Sequence, residues 1–116
     1  MSAPDVNQVV LVGRLTKDPI SRELKDGKTV CELRLAVNDV REREPLFVDV
    51  ATFGKQAEAC AEHLKKGRQV AVAGRLVRDE WQTKDGQQRS RYLVIGKVAF
   101  GNDRDQNGAG PDGRDE

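Results

Sequence analysis

Between Phe47 and Phe53 the chain reads Phe-Val-Asp-Val-Ala-Thr-Phe, and at Gly54 this pattern stops. Successive side chains of a strand point to opposite faces, so Phe47, Asp49, Ala51 and Phe53 share one face and Val48, Val50 and Thr52 the other. The β-branched face fits a core. The face that sets two phenylalanines beside an aspartate does not, because a carboxylate is rarely buried without a partner. Two rings on a solvent-facing strand make a stacking platform for flat ligands, of which nucleic-acid bases are the commonest. The competing reading turns one or both rings into the core, where aromatic side chains are often found.

The flanking sequence supplies further strands. Residues 7–16 carry the apolar run Val9-Val-Leu-Val12, and Lys17-Asp18-Pro19 ends it, since proline cannot donate to a ladder. Residues 20–24 are a short strand candidate, followed by the hairpin signal Asp26-Gly27. Residues 29–38 alternate, with Cys31, Leu33, Leu35 and Val37 on one face and Glu32 and Arg34 on the other. Residues 39–45 form a charged connection ending in proline. Beyond Gly54 the period changes: residues 55–66 are rich in good helix formers, and Ala57, Cys60, Ala61 and Leu64 make an apolar stripe. Lys65 and Lys66 suit the negative end of the helix dipole, and Gly67 the position just past it. Residues 69–81 read as a long strand, with Gly74 as a bend or bulge. Asp85-Gly86 is a second hairpin signal, and residues 88–100 complete the sheet.

This order predicts an all-β fold, a five-stranded antiparallel OB-fold barrel with one helix between the third and fourth long strands. Closing the sheet removes vulnerable edges, and Pro19, Pro45 and Gly74 help it curve. At 116 residues the chain is long enough for one domain with one core. The domain is expected over residues 1–100. Residues 101–116, with glycines, a proline and mostly polar partners, form a flexible tail that buries too little to order itself. The formal net charge of +1 conceals an asymmetry: the tail carries −3 and the rest +4, a balance that permits nucleic-acid binding without requiring it. Cys31 and Cys60 read as small core residues of an intracellular protein. With His63 the only histidine and no Cys-x-x-Cys pair, no zinc site is expected. No apolar run has membrane-spanning length and no signal peptide is evident, so a cytoplasmic protein is expected. No Ser/His/Asp or Cys/His constellation or phosphate-loop spacing supports an enzyme.

Several segments, in order, resemble the bacterial single-stranded DNA-binding protein family. They are Asn7-Gln-Val-Val-Leu-Val-Gly-Arg-Leu15 with Asp18-Pro19, then Leu33-Arg-Leu-Ala-Val37, then Val50-Ala-Thr-Phe-Gly-Lys55 with Ala57-Glu58 and Leu64-Lys-Lys-Gly67. Gly74-Arg75-Leu76, Trp81 and Asp85-Gly86-Gln87 follow. The resemblance implies sequence-tolerant binding of single-stranded DNA in replication, recombination and repair, on the nucleoid, without cofactor or catalysis. It implies a homotetramer, with dimers made partly through the first strand, where Asn7, Val9 and Leu11 would lie. Phe47, Phe53 and Trp81 match family aromatics that stack on bases, and Arg14, Arg34, Arg41, Arg75 and Arg78 become candidate phosphate contacts.

Four features depart from the family pattern. The connection over residues 39–45 is short where relatives often carry a hairpin bearing another aromatic, and Arg41 stands near that place. Asp79 and Glu80 precede Trp81 where basic residues are usual, and Asp49 shares the presumed DNA face; these carboxylates repel phosphate and are expected to weaken binding. Glu23 replaces an aromatic. The tail ends Gly113-Arg-Asp-Glu116 without the usual apolar tip, which points to weak or absent recruitment of replication and repair enzymes and to a specialised second member of the family. An RNA-binding OB module and a protein-binding OB module remain the alternatives, since fold alone does not fix function.

Overall fold

Residues 3–101 are described by a computed structural model of the chain. Seven elements follow one another: β1 (Val9–Leu15), β2 (Ile20–Glu23), β3 (Thr29–Val37), β4 (Leu46–Phe53), α1 (Lys55–His63), β5 (Gln69–Gln82) and β6 (Gln88–Ala99). The expected flexible tail, and the weak enzyme recruitment expected of its end, lie outside the described residues apart from Gly101.

Strands β1, β5, β6, β4 and β3 are hydrogen-bonded in that order, and β3 returns to β1 through Arg14↔Ala36 and Leu15↔Leu35. Five strands thus close into a ring, the OB-fold barrel, while the short β2 extends β3 on its outer side. The ladders are antiparallel except one. Strands β4 and β6 run parallel, with Val50 opposite Val94 and Ala51 opposite Ile95, in place of the wholly antiparallel pairing expected. A parallel neighbour needs a long crossover rather than a hairpin. Here α1 and β5 form that crossover, and no local residue pattern encodes the direction in which β6 returns.

The alternation read from the sequence decides what the barrel encloses. Leu15, Cys31, Leu33, Leu35, Val50, Val70, Val72, Val94 and Val98 fill the interior, and α1 covers it with Ala57 and Cys60. Thr52 is buried on the same side, and its hydroxyl donates to Gln56 Oε1 at 3.1 Å. Gln56 Nε2 in turn donates to the Val98 carbonyl at 2.9 Å, tying α1 to both β4 and β6. Burial, with Cys31 nearby, pushes the Cys60 thiol up to about 11, so it stays protonated at neutral pH.

The helix stops sooner than its composition predicts. It ends at His63, and Leu64 is already extended, which turns its side chain into the core. Lys65 and Lys66 therefore lie beyond the helix. Gly67, at φ 91°, shapes a separate turn closed by the Arg68 amide donating to the Lys65 carbonyl at 3.1 Å. Both Asp-Gly signals do make hairpin turns, with Gly27 and Gly86 in the left-handed region at φ 87°.

Gly74 is neither a bulge nor free to change. The β5–β6 register runs unbroken from Ala71↔Ala99 to Gln82↔Gln88 and sets Gly74 directly opposite Gly96. A Cβ on Gly74 would overlap the Ile95 carbonyl oxygen, and one on Gly96 the Ala73 carbonyl oxygen. Gly74→Ala is expected to cost about 1–3 kcal/mol, the usual range for overpacking against atoms that cannot yield. A urea midpoint measurement checks this, with Ser90→Ala, exposed on the same hairpin, as the neutral comparison.

Candidate nucleic-acid interface

The side chains that point away from the barrel interior on β3, β4, β5 and β6 form one surface. Register fixes its pattern. Across β3 and β4, Val30 faces Phe53, Glu32 faces Ala51, Arg34 faces Asp49 and Ala36 faces Phe47. Across β5 and β6, Arg75 faces Ile95, Val77 faces Leu93, Asp79 faces Arg91 and Trp81 faces Arg89. Part of this surface is covered: Val30, Ala51 and Leu93 are buried together, with Leu24, Val77 and Ile95 packed around them. The three rings stay out of it and are 50% (Phe47), 42% (Phe53) and 43% (Trp81) exposed, which settles the question of whether they turn inward.

Charge is interleaved with these rings. Arg34 Nη1 donates to Asp49 Oδ1 at 2.9 Å, and its guanidinium carbon lies 5.4 Å from the centre of the Phe47 ring. Arg91 lies 5.9 Å from the centre of the Trp81 ring and within 3.5–3.7 Å of Asp79, Asp49 and Glu32. Arg22 meets Glu32 at 2.7 Å. Arg22, Arg34 and Arg91 are thus balanced by Glu32, Asp49 and Asp79. Lys17, Glu32, Asp49 and Arg91 also line a polar hollow of about 30 Å³. These pairs are partly exposed, and pairs open to solvent contribute only about 0–1 kcal/mol each, so an incoming polyanion can displace them.

The remaining residues singled out from the sequence are scattered. Arg75 is on the ring-bearing surface and makes no ion pair among the described residues. Arg78 is on the opposite side of the β5–β6 hairpin, across from Tyr92, and its Nη1 pairs with Glu80 Oε2 at 2.9 Å. Arg14 extends outward from β1 and donates to the Gly67 carbonyl at 3.0 Å. Arg41 grips Asp39 through both carboxylate oxygens, at 3.0 and 2.8 Å. That guanidinium and the Arg41 amide hold the Asp39 carboxyl below the usual carboxylate range.

On β1, Val9 and Leu11 turn inward against the core, and Val10 and Val12 are the outward residues, 74% and 53% exposed. The Asn7 amide is used within the chain: Nδ2 donates to the Leu76 carbonyl and Oδ1 accepts from the Leu76 amide, both at 2.9 Å.

Arg91, Arg22 and Glu32 belong to the surface and were not singled out from the sequence. The missing signal was register. The Asp85-Gly86 turn spans residues 83–87, closed by Thr83 N–H to Gln87 O at 2.9 Å, and only that loop length places Arg91 opposite Asp79 and beside Trp81.

Among the described residues no helix is long and apolar enough to cross a membrane, and no group of three or more His, Cys, Asp or Glu side chains is placed to hold a metal ion. An OB barrel with half-exposed rings and arginines interleaved across one surface has the make-up of a single-strand-binding module. The sequence comparisons give the same class: residues 6–100 match the single-strand binding protein family, and the chain belongs to it. It is 41% identical over 99 residues to a single-stranded DNA-binding protein of Caldanaerobacter subterraneus, covering 81% of this chain and 64% of that one. It is 44% identical over 99 residues to single-stranded DNA-binding protein 2 of Staphylococcus aureus, covering 81% and 68%. A Wolinella succinogenes single-stranded DNA-binding protein is 38% identical over 95 residues, covering 76% and 59%. The chain thus spans 59% and 64% of the length of the Wolinella and Caldanaerobacter proteins.

Proposed function

We propose that this chain binds single-stranded DNA with little sequence preference, across the outer surface of β3–β6, and protects it during replication, recombination and repair without catalysing a reaction. The observation that carries the reading is the set of three half-exposed rings on one surface, two of them beside arginines. Arg34, Arg75 and Arg91 draw in the phosphate backbone, and binding weakens with salt as counterions are released. Phe47, Phe53 and Trp81 then stack on bases. Stacking needs no particular base, because every base has a π-face. Duplex DNA competes poorly because its bases are already stacked on one another.

The protein acts as an assembly of several copies, a homotetramer by family pattern. The exposed β1 valines, Val10 and Val12, beside Ala71 and Ala73 of β5, support a contact between copies through this strand. Several sites on one strand raise affinity through effective concentration.

Competition binding with equal lengths of single-stranded DNA, duplex DNA and RNA tests the reading. Single-stranded DNA is expected to win. A tenfold preference for RNA, about 1.4 kcal/mol, would establish an RNA-binding module instead. No binding of any nucleic acid would leave the protein-binding OB module.

The two carboxylates before Trp81 separate by face. Asp79→Lys is expected to tighten binding severalfold at moderate salt, because Asp79 shares the ring-bearing surface. Glu80→Lys, on the far side and paired with Arg78, is expected to change it little. Filter binding of the two variants side by side checks the assignment, and equal effects would contradict it.

A further inference from the structure

Asp49 sits where the two ring sites meet, and its two oxygens hold two different arginines. Oδ1 accepts from Arg34 Nη1 at 2.9 Å, and Oδ2 lies 3.6 Å from Arg91 Nη1. Each of those guanidiniums lies over a ring, Arg34 over Phe47 at 5.4 Å and Arg91 over Trp81 at 5.9 Å. The neighbouring carboxylates do not share this position. Glu32 joins Arg91 to Arg22, and Asp79 reaches Arg91 alone.

We propose that Asp49 is an internal counter-ion that holds Arg34 and Arg91 over Phe47 and Trp81, and that binding of single-stranded DNA displaces it. The inference rests on the binding surface proposed above. A carboxylate and a phosphodiester compete for the same guanidinium fork. When phosphates take Arg34 and Arg91, both rings are uncovered for bases at once, so the two sites open together. Asp49 loses both cations and takes up one from solution. That uptake cancels part of the cation release that drives binding. Asp49 therefore lowers affinity and flattens its dependence on salt, and it discriminates against ligands that offer bases without a phosphate backbone to replace it.

The test is oligothymidine binding over a salt series with the wild type, Asp49→Asn and the charge-preserving Asp49→Glu. Asp49→Asn is isosteric at a partly exposed side chain, and its melting curve confirms folding. It is expected to bind tighter at physiological salt, by up to about thirtyfold, the most that two such ion pairs at about 1 kcal/mol each can hold back. Its log–log salt slope is expected to be steeper by roughly 0.7 to 1, one additional net ion released. Asp49→Glu is expected to keep the wild-type slope. An unchanged slope in Asp49→Asn, or weaker binding, overturns the inference. Phe47→Ala, measured alongside, tells which premise has failed. If it weakens binding, the DNA surface stands and only the counter-ion role falls; if it does not, the surface itself is wrong and the inference falls with it.

Discussion

Replacing Phe47 and Trp81 together by alanine is expected to weaken oligothymidine binding by about 2–6 kcal/mol, since each stacked base is worth about 1–3 kcal/mol. That corresponds to a loss of roughly thirtyfold to more than ten-thousandfold. The lower part of the range is expected, because Arg34 and Arg91 already cover part of each ring and their displacement offsets some of the stacking gain. Stability should hardly change, since neither ring belongs to either buried cluster. Tyr92 is the control. It is 64% exposed, more than any of the three rings, but lies across from Arg78 on the other side of the hairpin. Tyr92→Ala is expected to leave the affinity unchanged. Isothermal titration of both variants separates a stacking surface from a general effect of exposed aromatics.

Leu35→Ala is expected to destabilise the fold by about 2–5 kcal/mol, the range for deleting a fully buried leucine side chain. Leu35 is wholly inaccessible and sits where the ring closes, opposite Leu15 on β1 and Val48 on β4. Only two register pairs join β1 to β3, as few as join β4 to β6, so a cavity here weakens one of the two short ladders that close the barrel. Against a typical total of 5–15 kcal/mol this loss is large. Leu76→Ala, on a side chain 44% exposed, should cost far less, and urea denaturation of the two variants makes the comparison.

The parts of the fold written in the sequence are those with a short period. Alternation assigned Cys31, Leu33, Leu35 and Val50 to the interior and Phe47, Asp49 and Phe53 to the exterior. The Asp-Gly pairs marked both hairpins because only glycine adopts their φ of 87° at little strain. What was not legible depends on partners distant in sequence. The parallel β4–β6 ladder follows from where the α1–β5 crossover returns the chain. The outward burial of Ala51 follows from Val30 and Leu93 closing over it. At the candidate site the rings were legible, being few and set in clear alternation. The arginines were legible only in part: Arg34 and Arg75 lie on that surface but Arg22 and Arg91 were missed, because 20 lysines and arginines in 116 residues leave no single one conspicuous. Arg91 gains its place from the hairpin register, whereas Arg41 is engaged by Asp39 two residues away.

Single-stranded DNA that crosses the ring-bearing surface meets Trp81, the one tryptophan in the chain, which reports on it directly. Its emission should be followed while long oligothymidine is added at low and at high salt, with matched duplex DNA in parallel. Strong quenching by the single strand, absent with duplex and shifted to higher DNA concentration by salt, is the expected result. Unchanged emission from a protein shown by gel shift to hold the strand would place the DNA elsewhere and contradict the account.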